Sequence, residues 1–66
     1  MRDSVLWRKI SRIVLMIASR YSIPVEQALD AFYRSRTYSM LSDARFGLQL
    51  MSDEYILDEY AREVLS

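Results

Sequence analysis

The chain has 66 residues, nine basic and nine acidic, with no cysteine and no histidine. That length allows one domain near the lower limit for burying its own core, and the missing residue types exclude disulfide staples and the usual zinc ligand pairs. The 52% hydrophobic content favours a folded chain over a disordered one.

Residues 5–21 form the longest apolar-rich stretch. At about 100° per residue, Leu6, Trp7, Ile10, Ile13, Val14, Ile17, Ala18 and Tyr21 share one broad face, the recurrence of an amphipathic helix rather than a strand. Asp3 or Ser4 supplies a short side-chain oxygen to cap its start. The opposite side carries Arg8, Lys9, Arg12 and Ser19, but also Val5, Leu15 and Met16. A helix that is apolar on more than one side is either central in its bundle or keeps a second face for a partner. Val5, Leu15 and Met16, beside Arg12, are therefore the candidate surface for a homodimer. The densest apolar run, residues 13–18, falls well short of the about 20 residues of a membrane-spanning helix. It is also shorter than the roughly 7–15 residues of a secretory signal core, and cleavage after it would leave no mature protein of useful length. No membrane association is expected, and a cytoplasmic location is the default.

Ser22-Ile23-Pro24 reads as a corner between helices, because proline disfavours helical geometry before it and fits the first turn after it. The second helix is expected over residues 24–35, with Val25, Ala28, Leu29 and Phe32 buried and Glu26, Asp30 and Arg34 outside. After the polar break Ser35-Arg36-Thr37, a third helix is expected to start at Thr37 or Ser39 and to reach Leu50. Met40, Leu41, Ala44, Leu48 and Met51 are its core face. Gly47 costs about 1 kcal/mol inside a helix. It marks either the close passage of another helix or an early end to this one, and Phe46 and Leu50 lie off the main stripe.

Ser52-Asp53-Glu54 opens the last helix with a cap residue and acids in its first turn. Ile56, Leu57, Tyr60, Ala61, Val64 and Leu65 form its apolar face, and Glu54, Tyr55, Asp58, Glu59, Arg62 and Glu63 its outer face, with Asp58 and Arg62 spaced to pair. The whole predicts an all-α fold, a small four-helix bundle in a single domain spanning residues 1–66. Trp7, Ile10, Val14 and Ile17 are expected to pack against Phe32, Leu48, Leu57, Tyr60 and Val64.

The charge is balanced but polarised: residues 1–22 are basic and residues 52–66 are acidic. Either the first and last helices pack with complementary rims, or the surface is split so as to steer a charged partner. Catalytic chemistry finds little support. There is no histidine base, no cysteine nucleophile, no serine elbow, and one glycine does not make a phosphate-binding loop. Glu54 and Asp58 read as a solvated face rather than a catalytic pair or a divalent-metal site. No catalytic residue, cofactor site or metal site is expected. Residues 22–48 have the outline of a helix-turn-helix, but the break lacks the usual glycine and the second helix carries Asp43 and Arg45 rather than a basic reading edge. Net neutrality also gives little phosphate affinity, so a small dimeric DNA-binding or autoregulatory protein is the alternative, not the leading expectation.

The run SIPVEQALDAFYRS followed by TYSMLSDARFGLQLMSDEYILDEYAREVL resembles a family of short bacterial all-helical proteins of unknown function, the 3791-type. Their genes often neighbour those of ADP-ribosyltransferase-like proteins. The resemblance covers nearly the whole chain and rests mainly on the spacing of Glu26, Ala28 and Phe32 and on the closing segment, residues 52–59. It departs from the family at Leu48-Gln49, where Leu-His is common. It implies a non-enzymatic role beside another protein, as the antitoxin or accessory partner of a toxin-like enzyme, and carries over no active-site residue. The surface that would meet such a partner is expected around Tyr55 with Glu54, Asp58, Glu59 and Arg62. Tyr55 is an aromatic aimed away from the core, with a ring for contact area and a hydroxyl for polarity.

Overall fold

The computed structural model describes residues 2–65, with side chains from Val5 onward. Their order is α1 (Arg2–Tyr21), α2 (Val25–Tyr33), α3 (Arg36–Ser42), two 3-10 turns (Ala44–Phe46 and Leu48–Leu50) and α4 (Asp53–Leu65). The fold is an all-α bundle of four helices. α1 packs against α2 and α4, and α3 closes the bundle against α4 and α2.

The apolar stripe of α1 does what its period requires. Ile10, Ile13, Val14, Ile17 and Ala18 are buried together with Ala28, Phe32, Leu41, Leu48, Ile56, Leu57 and Tyr60 in one core. Asp3 and Ser4 fall inside the first turn of α1 rather than capping it, since the helix already runs at Arg2. Their side chains lie outside the described residues. At the other end Ser22 adopts a left-handed conformation at φ 55°, and the Ile23 N–H donates to the Ala18 carbonyl at 3.0 Å. This is the helix-closing turn that glycine usually supplies. A Cβ in that conformation is strained by roughly 1–2 kcal/mol. Ser22→Gly is expected to stabilise the fold by about 0.5–1 kcal/mol after the added chain entropy of glycine, read as a rise of a few degrees in thermal midpoint.

Four expected burials fail for one reason: the neighbouring elements leave about half or more of each side chain uncovered. Trp7 is 53% exposed, although its ring meets Tyr33 edge-on with centroids 6.2 Å apart. Val25 opens α2 at the surface, and Val64 and Leu65 close α4 beyond the last turn that α1 and α3 cover. Tyr21 is likewise only partly covered, against Tyr60. The polar exceptions run the other way. Lys9, expected outside, is buried, and Glu63, also expected outside, is half-buried.

The third helix is shorter than its apolar spacing suggests. It ends at Ser42, because Asp43 leaves helical geometry and its carboxylate instead accepts from the Arg45 N–H at 3.0 Å, starting the first 3-10 turn. Gly47 then sits at φ 66° between the two turns, and nothing lies within 4 Å of where its Cβ would be. Its role is the left-handed bend, not the close passage of a helix. The bend rotates Ala44 and Met51 to the surface, while Leu41 and Leu48 still reach the core and Met40 is half-buried.

The N–H groups at the start of α3 are fully accounted for. The Ser35 hydroxyl accepts from the Tyr38 N–H at 3.0 Å and donates to the Phe32 carbonyl at 2.5 Å. The Glu63 carboxylate, from α4, accepts from the Arg36 N–H at 2.7 Å, the Thr37 N–H at 3.0 Å and the Thr37 hydroxyl at 2.8 Å. Burial pushes the Glu63 carboxyl up, but these donors outweigh it and hold the group below its ordinary value.

Candidate protein-interaction site

The basic and acidic ends of the chain meet at Asp53. Lys9 Nζ donates to the Met51 carbonyl at 2.6 Å and to Asp53 at 3.0 Å, and Arg12 Nε donates to the other Asp53 oxygen at 2.7 Å. The Arg12 hydrogen bond holds the Asp53 carboxyl below its ordinary value, with Lys9 adding to it against the upward push of burial. Part of the charge polarity is thus spent inside the molecule, fastening the start of α4 to α1.

The outer face of α4 is built from its cap upward. The Ser52 hydroxyl accepts from the Tyr55 N–H at 3.1 Å and the Ser52 carbonyl from the Ile56 N–H at 3.2 Å. With the first turn set in this way, Ile56 and Leu57 point inward and Tyr55 outward, 45% exposed. On the helix surface Tyr55 and Arg62 fall in line, Glu54 and Asp58 lie to one side and Glu59 to the other. All five expected interface residues therefore share one face.

One expected contact on that face is replaced. Arg62 pairs with Glu59 at 3.2 Å, one turn away, and not with Asp58. Glu59 is half-buried and holds Arg62 close to the helix, which leaves Asp58 to solvent. Asp30, Asp43, Asp53, Glu59 and Glu63 all have partners: Asp30 with Arg34 at 3.3 Å, Asp43 with Arg45 at 2.7 Å, and the others as above. Among the described residues, no ion pair or side-chain hydrogen bond engages Glu54 or Asp58. Glu54 and Asp58, on one side of Tyr55, therefore carry charge that no side chain neutralises among the described residues.

The expected self-association strip is not one patch. Val5 and Leu15 are exposed, but ten residues of helix, about 15 Å of rise, separate them. Met16 is half-buried against the core, and Arg12 between them is bonded to Asp53. Val5 instead borders an open apolar groove of about 350 Å³ between α1 and the 3-10 turns, with Leu6, Leu41, Ala44 and Leu50. Sequence reasoning placed Leu41 in the core, where it is, but placed Ala44 there too and missed the groove. Its one signal was Leu50, off the main stripe of the third helix.

A second feature is aromatic. Trp7, Tyr33 and Tyr38 stack edge-on in series, and Phe32 joins Tyr38 to Tyr60 and so to Tyr21. The series links the exposed rings of Trp7 and Tyr21, both on α1, through Phe32 and Tyr60 in the core. Burial pushes the Tyr60 hydroxyl up, with Tyr21 and Glu63 adding to it.

No family model, curated protein or solved structure matches the chain. Among the described residues, no helix is long and apolar enough to cross a membrane.

Proposed function

We propose that this protein is a non-enzymatic interaction module that binds a partner enzyme through the outer face of α4. The observation that carries the reading is Tyr55, half-exposed beside Glu54 and Asp58, two carboxylates with no internal partner among the described residues. An aromatic anchor with unpaired negative charge along one side suits a basic, concave partner surface. The site of an enzyme that handles a phosphorylated cofactor has that character. Joined to the resemblance to the 3791-type family, which implies such a partner, the proposed role is that of antitoxin or accessory partner of a neighbouring toxin-like enzyme of the ADP-ribosyltransferase kind, which it inhibits. The rival reading, DNA binding, draws less support. The segment in place of a recognition helix is α3, Arg36–Ser42, and the N–H groups at its start are occupied by Glu63 and Ser35.

The test is co-expression with the products of neighbouring genes, expecting stoichiometric co-purification. Tyr55→Ala is then expected to raise the dissociation rate at least about tenfold, as for an interface anchor. Asp58→Lys is expected to slow association, most at low salt. Both changes lie on the solvent side of α4, so circular dichroism should show unchanged helix content. A verified partner that binds both variants as it binds the wild type rules out this face.

A further inference from the structure

Residues 36–51, which comprise α3 and both 3-10 turns, are fastened at their two ends by side chains from outside the segment. At the front, the Glu63 carboxylate of α4 accepts from the Arg36 and Thr37 N–H groups and from the Thr37 hydroxyl. At the back, the buried Lys9 ammonium of α1 donates to the Met51 carbonyl at 2.6 Å and is itself held by Asp53. Between these anchors the segment has little stability of its own. A seven-residue helix and two three-residue turns do not persist in water by their internal hydrogen bonds. Leu41 and Leu48 are what the segment contributes to the buried apolar cluster among the described residues, and every other member of that cluster belongs to α1, α2 or α4.

We infer that residues 36–51 form a strap that opens as one unit while α1, α2 and α4 stay packed, with Glu63 and Lys9 as its two latches. Loss of either latch frees a segment too short to keep its own structure, so front and back let go together. Opening withdraws Leu41 and Leu48 from the core and lifts Tyr38 from its edge-on contact with Phe32, whose ring centroid lies 5.7 Å away. The outer face of α4 around Tyr55 is left in place, because the Ser52 cap and the Arg12–Asp53 pair lie outside the strap.

Native-state hydrogen exchange on the full chain, followed by NMR in urea below the unfolding transition, tests this. The reporters are the Arg36 and Thr37 amides at the front and the Met51 amide at the back, which donates to the Leu48 carbonyl at 2.9 Å. All three are expected to share one opening, easier and less urea-dependent than the one that exposes the Ile13 and Val14 amides of α1. Glu63→Gln is expected to speed exchange at Met51, at the far end, about tenfold, as its hydrogen bonds lose a charged acceptor. Thr37→Val keeps the shape of the side chain and removes one donor to Glu63, so it should speed the same amide several-fold without unfolding the chain. Ile17→Val should speed Ile13 and Val14 by about two- to tenfold and leave the three strap amides at wild-type rates, because α1 is still packed when the strap is open. Strap amides that respond to Ile17→Val as α1 does would mean that the segment opens only when the whole chain unfolds, and would overturn the inference. A Met51 amide indifferent to both Glu63→Gln and Thr37→Val would overturn it too, since the two ends would then open separately.

Discussion

Phe32→Ala is expected to leave the chain largely unfolded at 25 °C. The side chain is 0% exposed, and its ring lies 5.7 Å from that of Tyr38 and 5.8 Å from that of Tyr60. One residue of α2 thus holds contact with α3 and α4 at once. Truncating a buried phenylalanine costs about 3–5 kcal/mol, the transfer loss plus the cavity left behind. A single core in a chain of this length supplies roughly the same amount in total. Far-UV circular dichroism during urea titration reads the result. The wild type should show one cooperative transition, and Phe32→Ala little or none. Ile17→Ala should move the same way by about 2–5 kcal/mol, because Ile17 is equally inaccessible at the centre of α1. A Phe32→Ala protein that keeps the wild-type midpoint would falsify this organisation of the core.

Asp53→Asn is expected to destabilise the fold by about 2 kcal/mol at pH 7, the scale of a lost hydrogen bond to a charged group. It removes the only carboxylate that meets the Lys9 ammonium among the described residues, leaving that buried charge with the Met51 carbonyl. The pH dependence follows from the sign of the shift. Asp53 is held below its ordinary value in the folded state, so its contribution is fully present above the unfolded value of about 3.9. It is lost as pH falls through the lower, folded value. Wild type and Asp53→Asn should therefore differ by a constant amount from pH 7 to about pH 5 and converge below about pH 4. Lys9→Met should cost less than Asp53→Asn, since its aliphatic chain fills the same slot and Asp53 keeps Arg12. Thermal midpoints across this pH range measure both effects, and a gap that widens on acidification would show that Asp53 does not act as the paired carboxylate.

How much of this was legible beforehand depends on which residues carry it. The period of Ile10, Ile13, Val14 and Ile17 exposes the core face of α1 directly, and Pro24 and Ser52 mark the starts of α2 and α4. Periodicity says nothing about where a neighbour stops, which is why Trp7, Val25, Val64 and Leu65 were assigned to the core. Lys9 and Glu63 escaped for a related reason. A long charged residue on an outer stripe reads as solvated, and its partners lie 44 and 26–27 residues away in the chain. The third helix was misjudged because Leu41 and Leu48 keep helical spacing across a break that the Asp43 side chain and Gly47 impose on the backbone. Tyr55 on an acidic outer face was legible. The groove was not, since it joins residue 5 to residue 50 across a bend that spacing alone does not reveal.

Glu63 also sets an order of assembly. Helix α3 has seven residues, too few to nucleate and persist in water by its own hydrogen bonds. Two of the N–H groups in its first turn are held by a side chain that lies beyond the middle of α4. α1 and α2 join through a short corner and meet by local contacts, which close quickly. α3 has to wait until α4 has docked on α1. Amide protons at Arg36 and Thr37 should accordingly gain protection no earlier than those of α4 in pulsed hydrogen exchange. The third helix in order of synthesis is the last to become one.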